Sequence, residues 1–274
     1  MSIKRYEFQE DAIDWLVKTS SASASKQTMV LRAPTGSGKT IILIQYINRF
    51  LSEHKNTAFI WLCPGKGDLE EQSRNRMMEF IPTRQTYDLF EALSSGFSKG
   101  STTFINWEKV TKKGNKAITD GERKNLFERI LEAHKDGTEF ILIIDEEHSN
   151  NTSKAKDIID YFNAKHIVRV SATTISNRDV EYKEIEEQDV IDEGLITSAI
   201  SVNEGIEEGS VEDDALLLKL ADAKRKDIYN AYKEKGVDIR PLVLIQFPNG
   251  EPDKIEAVEL TLRDMGYTRE NKMV

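Results

Sequence analysis

Through Thr174 the chain alternates short apolar runs with longer stretches whose apolar positions recur every three or four residues, the spacing of one helix face. An amphipathic segment runs from Tyr6 through Trp15 and Leu16, and the small polar stretch 19–27 after it reads as a loop. Strands are then expected over 28–32, 57–63, 101–105, 139–144 and 166–171, with helices over 39–53, 67–80, 120–135 and 153–163. The run Phe140-Ile-Leu-Ile-Ile144 is apolar on both of its faces, as a strand in the middle of a parallel sheet must be. Alternating strands and helices predict an α/β fold, a parallel sheet covered by helices on both faces, with functional loops at the carboxyl ends of the strands.

Past Thr174 the pattern changes. Residues 180–202 suggest short strands and a turn. Residues 213–235 suggest a helix carrying Leu216, Leu217, Leu220, Ile228 and Tyr232, 242–247 another buried strand, and 253–265 its following helix. The expected organisation is therefore a first domain over 1–178, an acidic connecting segment over 179–214, and a further domain begun over 215–274.

Composition narrows the class. The 274 residues include one cysteine, Cys63, and four scattered histidines, which excludes a disulfide framework and any cysteine-cluster or histidine-spaced zinc site. The first residues lack an apolar signal core and no apolar run approaches membrane-spanning length, so a cytoplasmic protein with no membrane partner is expected. The net charge of −9 is unevenly placed: residues 179–214 hold 14 acidic side chains and one basic, Lys183, and the rest of the chain carries a small positive balance. That block reads as a solvated face or linker; the alternative is that it mimics nucleic acid or shields a basic groove.

Two segments carry chemistry. Ala33-Pro-Thr-Gly-Ser-Gly-Lys-Thr40 lies between an expected strand and an expected helix, the setting of a phosphate-binding loop. Backbone N–H groups over Thr35, Gly36, Ser37, Gly38, Lys39 and Thr40 would face phosphate oxygens, with the helix N-terminus adding partial positive charge. Lys39 would reach the β and γ phosphates of ATP, and Thr40 would ligate Mg²⁺. The second segment, Asp145-Glu146-Glu147-His148, ends the apolar strand 139–144. Asp145 suits Mg²⁺ held through its water shell, and Glu146 suits orienting and deprotonating the water that attacks the γ-phosphate. Either segment alone could be an ordinary capped helix start; their order and spacing together favour a nucleotide site.

With Ser171-Ala172-Thr173 at the end of the next strand, the run at 145–148 resembles motifs II and III of superfamily 2 DExH helicases. Arg5-Tyr-Glu-Phe-Gln9 resembles that superfamily's adenine-reading element, which implies that Arg5 and Gln9 flank the base. Leu62–Ser73 and Phe104–Val110 resemble motifs Ia and Ib. Their wording, together with Val190–Ile196 and Arg240–Gln246, is similar to the helicase/translocase (Res) subunit of type III restriction-modification systems. The resemblance implies a RecA-like P-loop NTPase domain followed by the start of a second RecA-like domain. It also implies DNA as partner, contacted without sequence preference, and a separate methyltransferase/specificity subunit.

Other residues take roles from the same resemblance. His148 would bond across to Ser171 or Thr173 and couple nucleotide state to domain position, or simply start a helix. Lys66 would meet a backbone phosphate, or be a surface lysine. Asn106 and Trp107 follow a strand end, where Trp107 would stack on a base or staple the next helix to the sheet. No segment matches motif VI, whose arginine contributes on the order of 10³ to 10⁵ in rate, and none matches the nuclease motif. The expectation is an ATP-dependent DNA helicase or translocase motor, cut short before motifs V and VI and the nuclease, binding ATP well and hydrolysing it poorly alone. The alternative is a nucleotide-gated module that binds DNA or a partner without productive turnover.

Overall fold

The structure, a computed structural model, describes residues 6–22, 25–64, 68–106, 120–145, 153–172, 180–198 and 214–268. The apolar runs become strands β1 (Gln27–Arg32), β2 (Thr57–Cys63), β4 (Thr102–Asn106), β5 (Glu139–Asp145) and β6 (His166–Ser171), joined by the short β3 (Thr86–Tyr87) and by β7 (Glu181–Glu184). They form one seven-stranded sheet in the order β3-β4-β2-β5-β6-β1-β7. Every pairing is parallel, with Arg32 of β1 opposite both Ser171 and Glu184, and Asp145 of β5 opposite Val170. This is the RecA-like arrangement that the motifs imply.

Helices cover both faces, as a sheet apolar on two sides requires. On one face α1 (Glu7–Ala22), α2 (Lys39–Glu53) and α3 (Leu69–Phe80) pack against Met29, Leu31, Phe59, Trp61, Phe104, Ile141 and Val168. On the other, α4 (Leu89–Ser95), α5 (Asp120–Lys135) and α6 (Ser153–Phe162) pack against Ile60, Leu62, Ile105, Phe140, Leu142 and Ile144. All seven residues of β2 are buried, and each large apolar side chain so covered contributes about 1.5–3 kcal/mol. Among the described residues no helix is long and apolar enough to cross a membrane.

Several elements differ from the sequence reading. Helix α1 continues to Ala22, into the expected loop, because the Ser20 hydroxyl is satisfied internally by the Leu16 carbonyl at 2.7 Å and Tyr46 Oη at 2.6 Å. Strand β3 and helix α4 were not anticipated. Asp88 and Glu91 form a reciprocal capping box at the start of α4. The short strands and turn expected over 180–202 are met in part: Glu181–Glu184 forms β7 on the sheet edge beside β1, and a helix that was not expected, α7 (Glu187–Asp192), follows it with Val190 fully buried.

The chain divides into two compact units, 1–198 and 199–274. The described part of the second holds helices α8 (Asp214–Glu234) and α9 (Pro252–Asp264). The strand expected at 242–247 is not formed. Parallel strands need a hydrogen-bonded neighbour, and among the described residues none pairs with this stretch, so Leu242 and Leu244 are each 92% exposed. The two helices are joined instead by a polar knot, in which Tyr267 Oη donates to Asp222 Oδ1 at 2.5 Å and Arg225 Nη2 donates to Tyr267 Oη at 2.8 Å.

Candidate nucleotide site

The carboxyl edge of the sheet gathers the chemistry. Strand β1 runs directly into the loop 33–38, and α2 begins at Lys39. The loop is fixed at its base from two sides: Ala33 N–H donates to the Ser171 carbonyl of β6 at 3.0 Å, and Ile185 N–H donates to the Arg32 carbonyl at 2.9 Å. The Arg32 guanidinium also pairs with the Glu184 carboxylate of β7.

Within the loop Gly36 and Gly38 adopt φ of 90° and 83°, a region that L side chains rarely occupy. Gly38 is the residue that caps α2, and no side chain supplies the cap. No acidic residue lies in the first turn of α2, so the partial positive charge of the helix end is not offset from within its own helix. The Ser37 hydroxyl is fully buried without a hydrogen-bond partner among the described residues. A Cβ at Gly38 would sit 2.6 Å from Gln9 Nε2, so backbone alone fits there. A helix end with no side-chain cap, a buried hydroxyl without a partner among the described residues and two glycines without side chains suit the oxygens of a polyphosphate.

Gln9, buried at the start of α1, donates from Nε2 to the Ser37 carbonyl at 2.8 Å, tying α1 to the loop itself. Lys39 lies partly buried at the helix start, with Nζ 3.3 Å from the Ala33 carbonyl across the loop. Thr40 follows it, also partly buried, and Thr35 and Gly36 are exposed. Asp145 ends β5 and is separated from β1 by β6 alone. Burial, and then the neighbouring Asp145 and Glu70 carboxylates, push the Cys63 thiol well above its usual range, with Ser73 acting the other way.

Of the expected site residues, Gln9, Thr35 through Thr40, Asp145 and Ser171 belong to this edge. Asn106 ends β4, with β2 between it and β5. Arg5, Glu146, His148, Thr173, Lys66 and Trp107 lie outside the described residues. Two contacts were not read from the sequence. Arg32–Glu184 joins residues far apart in the chain, and Ile196 lies against Gly36, where a Cβ would come 2.5 Å from Ile196 Cγ2. Neither contact has a local signal: the first pairs side chains across a sheet edge, and the second depends on the direction in which the chain leaves α7.

The sequence model of the family described as "Type III restriction enzyme, res subunit" matches residues 2–176. The chain belongs to that family. Its first unit is accordingly a helicase-like ATPase domain of superfamily 2. Among curated proteins, the ATP-dependent DNA helicase MER3 of Saccharomyces cerevisiae is 30% identical over 109 residues, 38% of this chain and 8% of that protein. A solved nuclease-deletion mutant of the type ISP restriction-modification enzyme LlaGI, in complex with a DNA substrate mimic, is 14% identical with a TM-score of 0.47, covering 96% of this chain and 24% of that one. The Pyrococcus furiosus Hef helicase domain is 14% identical with a TM-score of 0.46, covering 97% and 54%. This family member thus spans only part of the length of each.

Proposed function

We propose that this chain is the ATP-binding motor part of a DNA helicase or translocase of the restriction-modification type, in which ATP hydrolysis is coupled to DNA binding. The observation that carries the reading is the loop 33–40, held between β6 and β7 and joined to a helix with no side-chain cap, with Ser37 Oγ buried and without a hydrogen-bond partner among the described residues. ATP would place its phosphates against the backbone of 35–40, and Lys39 would supply the full positive charge that meets the β and γ phosphates. Thr40 and Asp145 would hold Mg²⁺, which when bound neutralises charge on the phosphates. Glu146 would orient and deprotonate the attacking water. Arg5 and Gln9 would border the base, and Gln9 in addition supports the loop through Ser37. His148, Ser171 and Thr173 would link the nucleotide to domain position.

DNA is the proposed partner, met through its backbone by Lys66, Asn106 and Trp107, and a methyltransferase subunit would supply sequence recognition. Backbone contacts by so few groups give weak, sequence-independent binding that falls as salt rises.

The test is a titration with a fluorescent ATP analogue, paired with steady-state ATPase assays with and without duplex DNA. Wild type should bind the analogue, Lys39→Ala should fold and fail to bind it, and Glu146→Gln should bind it with reduced turnover. Equal affinity of wild type and Lys39→Ala removes the loop from the function. Binding without turnover at any DNA concentration favours the nucleotide-gated module instead.

A further inference from the structure

The C-terminus of α7 closes in a Schellman motif: Leu195 N–H donates to the Val190 carbonyl at 3.1 Å, Gly194 N–H donates to the Ile191 carbonyl at 2.8 Å, and Gly194 adopts φ of 71°. Leu195 and Val190 pack into the core on the α1–α2 face, which fixes the direction in which the next residue leaves. That residue is Ile196, and its Cγ2 lies where a side chain on Gly36 would stand. Being β-branched, Ile196 presents this methyl stiffly from its backbone. The bracket is closed at its other end, because β7 pairs with β1 and Glu184 and Ile185 hold Arg32, the residue from which the loop springs. The loop is thus gripped at its base by β7 and near its tip by the turn that follows α7.

Resting on the reading of 33–40 as the ATP phosphate loop, we propose that Ile196 is a positioning residue for nucleotide binding. Its Cγ2 methyl holds the backbone at Gly36 in the shape that receives phosphate, and touches no nucleotide itself. Removing the methyl lets the loop sample other shapes. If the receptive shape is then occupied a tenth of the time, the apparent dissociation constant for ATP rises about tenfold, because affinity scales with the competent fraction.

Two variants separate this contact from bulk packing. Ile196→Leu conserves volume and deletes the branch methyl beside Gly36; Ile196→Val keeps that methyl and shortens the other arm. Titration of the full chain with a fluorescent ATP analogue, alongside thermal unfolding without ligand, should find Ile196→Leu about tenfold weaker in binding at a nearly unchanged midpoint. Ile196→Val should bind like wild type. A core-filling role gives the opposite order, with Ile196→Val the more damaged and affinity following the midpoint, and that result overturns the proposal, as does equal affinity of both variants with wild type. Wild type that binds no better than Lys39→Ala overturns the ATP reading and this proposal with it. Wild type that outbinds Lys39→Ala while Ile196→Leu matches wild type overturns this proposal alone.

Discussion

Gly38 combines two demands that no other residue type meets. Its φ of 83° is costly for an L side chain, and an added Cβ would push the Gln9 amide off the Ser37 carbonyl. Gly38→Ala is expected to cost about 1–3 kcal/mol in stability and to weaken ATP binding, measured by thermal unfolding and by titration of the ATP analogue. His166 makes a different demand. It is fully buried where β6 begins, and burial, then the charge of Lys165, lower its imidazole below the usual histidine range, against a backbone contact with Ser20 and the Glu139 carboxylate, while His54 acts with Lys165. The folded protein therefore holds His166 neutral where the unfolded chain, with an ordinary value of about 6.5, takes up a proton. Stability from this site is present above about pH 6.5 and is lost as pH falls below that value. Urea unfolding at pH 7.5 and 5.5 should show a steeper loss for wild type than for His166→Leu, and equal losses would remove His166 as the cause.

At the scale of elements, one residue type behaves in opposite ways according to what surrounds it. Leu142 lies in the middle of β5 between β2 and β6, fully buried against α5 and α6. Leu142→Ala is expected to cost about 2–5 kcal/mol, the loss of transferred surface plus a cavity in a close-packed layer. Leu244 sits in a stretch with the same apolar character that pairs with no strand among the described residues, so Leu244→Asp should change stability by less than about 0.5 kcal/mol. Denaturant titration of both variants compares them directly. The reverse case is β7, whose sequence Glu-Tyr-Lys-Glu has no apolar run and still forms a strand. It lies on the sheet edge, where charged side chains reach water and, among the described residues, the backbone has one neighbouring strand, β1.

At the scale of the whole molecule, the two units rest on different physics. The first is held by two apolar layers about a sheet. The second, in its described part, buries little beyond Leu218, Val258 and Asp222, and depends on the knot at Asp222. Burial alone would raise the Asp222 carboxyl, but hydrogen bonds from Lys226, Tyr267 and Arg225 outweigh it and bring the value down to about 2. A depressed carboxylate stabilises at pH above its ordinary value and loses that contribution as pH falls through about 2. Asp222→Ala should therefore speed hydrogen exchange in α8 and α9 and leave β2 and β5 protected, read by amide exchange with mass spectrometry. Equal loosening of both units would show that they do not melt independently.

The central strands, the helices on both sides and the glycine-bearing loop between β1 and α2 were legible in the sequence because each is set by local order: an apolar run, a periodic face, glycines between a strand and a helix. Lys39, Thr40 and Asp145 could be placed at one edge from those elements alone, since parallel strands deliver their carboxyl ends to the same side. The order of the strands, the place of β7 at the sheet edge and the contact of Ile196 with Gly36 were decided only by tertiary structure. Strand order depends on how crossovers pack, and β7 on hydrogen bonds offered by β1. The Ile196 contact depends on the direction a helix cap gives to a chain 160 residues beyond the loop it touches. The stretch 242–247 shows the same division from the other side. Its residues specify the capacity to be a strand, and only a neighbouring strand could make it one.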